Sequence, residues 1–133
     1  MDTNVLVAAL RSKRGAAHRL LSLLPDVRWK LNLSVPIFLE YEQVLKRQPL
    51  ELDHEEIDAY LNALSMLANH HEVFFLWRPR LRDPNDEFIL ELAVASRSEV
   101  IVTYNIRDFD GASEFGIEAI TPREFLKRLG ETT

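Results

Sequence analysis

Residues 99–109 read Glu99-Val100-Ile101-Val102-Thr103-Tyr104-Asn105-Ile106-Arg107-Asp108-Phe109. From Glu99 to Thr103 the run is continuously apolar at its centre. That is the pattern of a strand buried on both faces inside a parallel sheet. Asn105 and Asp108 follow directly. Parallel sheets bind their ligands past the carboxyl ends of the strands, so both polar residues stand at the lip of a crevice. Local turn chemistry is the competing reading, because Asn and Asp readily bond their own backbone. These residues alone do not separate the two.

Working outward, Trp29 to Leu33 alternates apolar and polar residues as a half-buried strand does. Ser34 with Pro36 opens a helix that runs to about Arg47, where Pro49 closes it. Asp53 with Glu56 forms a capping-box pattern, and Ile57, Tyr60, Leu61, Leu64 and Leu67 keep helical spacing to about Asn69. Glu72 to Leu76 reads as a short strand, and Arg78 to Arg82 as a basic loop. Pro84 to Arg97 is a helix, apolar nearly all round and therefore buried. Gly116 to Ile120 is a last strand, and Thr121-Pro122-Arg123-Glu124 opens a closing helix. At the front, Asn4 to Leu10 makes one or two helical turns, and Ala16 to Leu24 a helix after Gly15. Strands alternating with helices give an α/β fold with a mostly parallel sheet.

At 133 residues with 47% hydrophobic content, the chain is expected to form one domain, 1–133, with a real core. It has no cysteine, which excludes disulfides, thiolate metal sites and thiol nucleophiles. No apolar run is long enough to span a membrane and no signal peptide is seen, so a cytoplasmic protein is expected. A net charge of −5 argues against wholesale wrapping of nucleic acid. It leaves room for an enzyme that meets phosphate through a metal and a local basic patch.

Three stretches carry acids or amides at the edge of apolar elements: Met1 to Val7, Arg82 to Phe88, and Val100 to Phe109. Asp83 is a good N-cap and Asp86 falls in the first turn of its helix. Glu87 and Glu91, one turn apart, mark the wet side of that helix. Asp86 lies in line with Ala93 on a small-residue face, which aims it at other protein. Taken alone, a first-turn acid merely complements the helix dipole. Asp2 alone would be an N-cap in a frayed terminus. Glu40 and Glu42 flank the apolar stripe of Ile37, Phe38, Tyr41, Val44 and Leu45 on opposite sides, and periodicity cannot choose between them.

In order and spacing, these stretches resemble the PIN-domain ribonucleases, especially the VapC-like toxins of bacterial toxin–antitoxin pairs. Asp2-Thr3-Asn4-Val5-Leu6 is similar to the opening acidic motif. Ser34 to Leu45 is similar to the helix carrying the family glutamate, which falls on Glu40. Arg82 to Ala93 places the catalytic aspartate at Asp86, and Val102 to Phe109 is similar to the last motif. The resemblance implies a three-layer α/β/α fold around a central, mostly parallel sheet. It also implies an apolar strand ahead of the first aspartate. This chain opens at Met1-Asp2, so that first strand reads as truncated.

The implied activity is a divalent-metal-dependent endoribonuclease, a phosphodiesterase hydrolase using Mg²⁺ or Mn²⁺, acting as a toxin. Asp2 and Asp86 would be the principal metal ligands, with Glu40 and Asn105 completing the catalytic set directly or through water. Where the family often has an acid, Asn105 is a weaker, neutral ligand, and Asp108 could help. Asn4 and Thr103 are supporting candidates, as is Thr3. Arg11, Lys13, Arg14, Arg82 and Arg107, with Arg78 and Arg80, are candidates for RNA-backbone contacts, which give affinity without sequence choice. Any single one of them reads equally as solvated surface. RNA substrate, a cognate antitoxin and a homodimer are the implied partners. The apolar faces of the helices from Ala16 and Asp53 are expected to pack on the domain's own core.

Two other classes compete with this reading. An aspartate-nucleophile phosphatase often needs a second aspartate two residues on, where this chain has Asn4. No P-loop, Gly-rich dinucleotide turn or Gly-x-Ser-x-Gly elbow is present. His18, His54, His70 and His71 lack a metal-ligand spacing. The remaining alternative is a PIN-fold interaction module that has lost catalysis and binds a protein or RNA.

Overall fold

The computed structural model describes residues 1–24, 28–73, 81 and 83–131. Helix α1 spans Thr3–Arg11 and α2 Ala16–Ser22. Strand β1 is Asn32–Leu33, followed by α3, Val35–Arg47. Helix α4 is His54–Leu67 and β2 is Asn69–His70. Helix α5 spans Pro84–Ala95 and β3 Val100–Val102. A 3₁₀ run covers Ile106–Phe115, then come β4, Glu118–Ile120, and α6, Pro122–Arg128.

Local chemistry explains most boundaries. Asp53 accepts the Glu56 backbone N–H while the Glu56 side chain accepts the Asp53 N–H, the reciprocal bonding expected of a capping box. Thr121 caps α6 by accepting the Glu124 N–H at 3.2 Å, and Pro122 occupies the first turn. Ser34 holds the N-cap position of α3 but makes no side-chain cap bond. The expected strand at 72–76 is displaced: Glu72 and Val73 lie outside any strand, β2 forms three residues earlier, and 74–76 fall outside the described residues. The 3₁₀ run after β3 was not anticipated. It ends at Gly116, whose φ of 72° suits a residue without a side chain.

The strands are parallel, and the chain is α/β in kind though mostly helical. Among the described residues they form two separate pairs, β1 with β2 and β3 with β4, in place of one continuous central sheet. Helix α5 packs against both β1 and β3. One cluster of buried side chains joins all of this, with Leu6, Leu20, Leu33, Tyr41, Leu61, Leu90, Ile101 and Phe109 essentially sealed from solvent. The apolar faces of α2 and α4 do turn inward, through Ala17, Leu20 and Leu21 and through Ile57, Leu61 and Leu64. Met66 at the end of α4 stays exposed. No helix among the described residues is long and apolar enough to cross a membrane.

The reading of α5 needs one correction. Glu87 does not face water: it is 6% exposed, and its carboxylate accepts the Leu81 backbone N–H. A wheel drawn for the helix alone cannot see that the Leu81 N–H, ahead of the helix, recruits the acid. Glu91 is half-buried.

Candidate active site

The carboxyl end of β3 is built around Thr103, which is fully buried. Its hydroxyl donates to Asp2 Oδ2 at 2.6 Å and accepts the Asn105 backbone N–H at 2.9 Å. The Asp2 backbone N–H in turn donates to the Val102 carbonyl at 2.8 Å. Asp2 is therefore not a frayed cap. It occupies the N-cap position of α1 without a side-chain cap bond, is only 7% exposed, and is held at both backbone and carboxylate by the strand end. Next to it, Thr3 Oγ1 donates to Glu40 Oε2 at 2.6 Å. The Tyr104 N–H reaches Asn4 Oδ1 at 3.4 Å, a long contact. Tyr41 donates its hydroxyl to the Met1 carbonyl at 2.5 Å, and burial, ahead of the charges of Asp2 and Glu40, pushes that phenol far above its usual range.

Tertiary contacts separate Glu40 from Glu42, which periodicity leaves undivided. Glu40 turns toward Thr3 and the Asp2 segment. Glu42 turns outward, 3.5 Å from Lys46, which also pairs with Asp58 at 2.8 Å.

Across from this network lies a 620 Å³ cavity lined by Leu81, Asp83, Asp86, Arg107, Asp108, Asp110 and Gly111. Four of those side chains are acids and one is basic. Asp86 is half-buried there, and its carboxyl is pushed up from 3.8 to about 7. Burial is the larger cause, followed by the charges of Asp2, Asp83, Asp108 and Glu40. The named acids of the sequence thus lie within electrostatic reach of one another around Asp86. Asn105 stands apart. It is exposed, and its backbone N–H, not its side chain, joins the network. Asp108, on the 3₁₀ run, is the residue of the last motif that lines the cavity with Asp86. Asp83, read from the sequence only as an N-cap, and Asp110, not singled out, line it too. Their signal was weak, two more acids in polar turns, and only the folding of the run from 106 to 115 against α5 gathers them.

Among the described residues no three His, Asp or Glu side chains stand close enough together to cage a metal ion. The donor set still suits a hard cation, since every candidate is an oxygen and the charges that shift Asp86 are those of other acids. Mg²⁺ is commonly held by one or two carboxylates with water filling the rest of its shell, which does not require a protein cage. Of the basic candidates, Arg107 borders the acidic cavity. Arg11 bonds Gln48 at 2.5 Å, and Lys13 is exposed. Arg14 lines a separate 420 Å³ pocket with Arg19 and Arg123. Arg78, Arg80 and Arg82 lie outside the described residues. The histidines are engaged structurally where bonds are seen, His70 to the Ser65 carbonyl at 2.7 Å and His71 to Asn32 Oδ1 at 2.8 Å.

The profile of the PIN domain matches residues 1–107, most of the chain and all of the acids through Asp86. The chain belongs to the PIN-domain family. PIN domains are typically nucleases and generally use divalent metals. Neither the curated proteins nor the solved structures contain a significant match to this PIN chain.

Proposed function

We propose that this PIN protein is a divalent-metal-dependent endoribonuclease, with Mg²⁺ or Mn²⁺ held by Asp2 and Asp86, and that it serves as the toxin of a toxin–antitoxin pair in the cytoplasm. The observation that carries the nuclease reading is the convergence on Asp86 of Asp2, Glu40 and Asp108 from three other segments of the chain. Gathered like charges raise one another's pKa, and a bound cation would offset that cost. When bound, the metal would supply a water of lowered pKa and stabilise charge on the leaving oxygen of the phosphodiester. Asp2 and Asp86 would hold it, and Glu40 and Asp108 would complete its shell through water. Thr103 and Thr3 orient the two carboxylates they bond. Arg107, which lines the acidic cavity, would meet a backbone phosphate.

Cleavage of a mixed pool of labelled RNAs tests this, with Mg²⁺, Mn²⁺ or EDTA, comparing the chain with Asp86→Asn. Cutting that needs metal and is lost in Asp86→Asn is the expected result. Undiminished cutting in EDTA or in the variant would refute it. RNA binding without cutting, by a folded protein, would favour the non-catalytic interaction module.

A further inference from the structure

Three arginines from two distant parts of the chain meet around a 420 Å³ pocket lined by Arg14, Gly15, Ala16, Arg19 and Arg123. Arg14 and Gly15 lie between α1 and α2, Arg19 is on α2, and Arg123 is in the first turn of α6. They come together because α2 packs against α6. Among the described residues no acid lines the pocket, in a chain whose net charge is −5. Arg19 donates to Glu131 at 2.8 Å, but it shares that carboxylate with Arg28, at 2.6 Å. Arg14 and Arg123 have no side-chain hydrogen bond or ion pair among the described residues. Gly15 adds an independent observation. Its φ of −80° and ψ of 164° are extended backbone that any residue adopts, and a Cβ there would meet nothing closer than 3.9 Å. Neither conformation nor crowding requires a glycine, and its missing side chain keeps the pocket open.

We infer that Arg14, Arg19 and Arg123 form a binding pocket for a phosphomonoester, the terminal phosphate of a nucleotide or of an RNA strand. Gathered guanidiniums repel one another, and an anion set among them would offset that cost. The guanidinium fork matches phosphate oxygens and binds them two at a time. Two guanidiniums without protein partners suit the charge of a phosphomonoester, about −2 at neutral pH, better than the single charge of an internal diester. Its three terminal oxygens also offer acceptors to all three arginines. Arg19, held by Glu131, supplies a third fork already fixed in place. A pocket of 420 Å³ falls within the range of roughly 300–1,000 Å³ that small-molecule sites occupy, which gives room for a mononucleotide. It shares no lining residue with the acidic cavity of Asp86, so the inference stands whatever that site does.

The test titrates the 133-residue chain with AMP, inorganic phosphate or adenosine, in EDTA at fixed ionic strength, and follows the Gly15 and Ala16 amides by NMR. AMP and phosphate should shift both amides saturably, and adenosine should not. Arg14→Gln combined with Arg123→Gln should weaken AMP binding by roughly tenfold or more, since each removes a charge-assisted donor. The thermal midpoint should not move, because neither arginine has a partner to lose. Gly15→Glu puts a carboxylate in the pocket and should abolish binding, while Gly15→Ala should leave it intact. Shifts that do not saturate, equal shifts with adenosine, or full AMP affinity in Gly15→Glu would overturn the inference, whatever the chain does to RNA. Displacement of AMP by RNA decamers then tells the two sources apart. Displacement by decamers phosphorylated at one end, but not by the unphosphorylated strand, assigns the pocket to an RNA terminus. Displacement by none of them assigns it to a free nucleotide. Equal displacement with and without the terminal phosphate would mean that an internal diester suffices, and would overturn the phosphomonoester assignment.

Discussion

Asp2 and Asp86 are both carboxylates of the candidate site, yet the fold treats them in opposite ways. Asp2 is buried and its position is over-determined: Thr103 donates to its side chain and the Val102 carbonyl accepts its N–H. Asp86 is half open, stands among Asp83, Asp108 and Asp110, and takes its raised pKa from burial and like charge. One acid is placed; the other is left electrostatically unsatisfied. A site assembled this way keeps its geometry without a ligand and gains free energy only when a cation arrives. The largest expected effect follows from that contrast. Asp2→Ala and Asp86→Ala should each lower cleavage by at least about 100-fold, above the usual loss for a residue that merely supports a ligand. Their stabilities should diverge. Asp2→Ala strands the buried Thr103 hydroxyl and should cost about 1–3 kcal/mol in urea unfolding, whereas Asp86→Ala should cost nothing or stabilise. Equal destabilisation by both would erase the contrast.

Thr103→Val breaks the placed half without touching a charge. It removes the donor to Asp2 and the acceptor for the Asn105 N–H while keeping the shape. Activity should fall about 10- to 100-fold at unchanged metal preference, as for other groups that orient a metal ligand. Activity within twofold of the parent would mean that Asp2 needs no positioning.

The electrostatic half can be read through stability alone. The Asp86 carboxyl holds its proton to about 7 in the fold but only to its ordinary 3.8 when the chain is unfolded. Between those values the folded state binds the extra proton, so this group makes stability fall as pH rises from about 4 to about 7 and leaves it low above. Asp86→Asn removes the penalty. In EDTA the variant should therefore be more stable than the parent at pH 8 and no different at pH 3.5. About 1–2 kcal/mol is expected after allowing for the solvent that reaches this half-exposed group. Mg²⁺ at about 100 times its Kd should return about 2.7 kcal/mol to the parent and little to the variant. A parent and variant that track each other across pH would show that the acids around Asp86 do not repel as placed.

How much of this was legible follows from what each residue depends on. The helices came through because their signals are local: the Asp53–Glu56 box, Thr121 before Pro122, and the stripe of Ile37, Tyr41 and Leu45. The acids at 2, 40 and 86 were legible only as a set, since each has a bland reading as a cap or a solvated charge. Glu87 was misread because its partner, the Leu81 N–H, belongs to a loop and not to the helix wheel. Asp110 was passed over because the 3₁₀ run that brings it to Asp86 has no apolar period to announce it. The short strands were the least legible: β2 is a two-residue element with both residues exposed, and its existence depends on pairing with β1.

The smallest effect tests the pair that periodicity left undivided. Glu40 and Glu42 sit on one helix two residues apart, equally far from the centre of its stripe, and only tertiary contacts separate them. Glu42 pairs with Lys46 one turn on, at the surface. Such a pair is worth about 0.3–0.5 kcal/mol, and Lys46 keeps Asp58 as a second partner. Glu42→Gln should therefore shift stability by less than about 0.5 kcal/mol and leave cleavage unchanged. Glu40→Gln keeps an oxygen that can accept from Thr3 but removes a charge from the field around Asp86. It should unfold almost like the parent yet cleave measurably more slowly, and its loss should grow at limiting Mg²⁺. If Glu42→Gln carried the kinetic defect instead, the inward face of α3 would have been assigned two residues away from where the chemistry is.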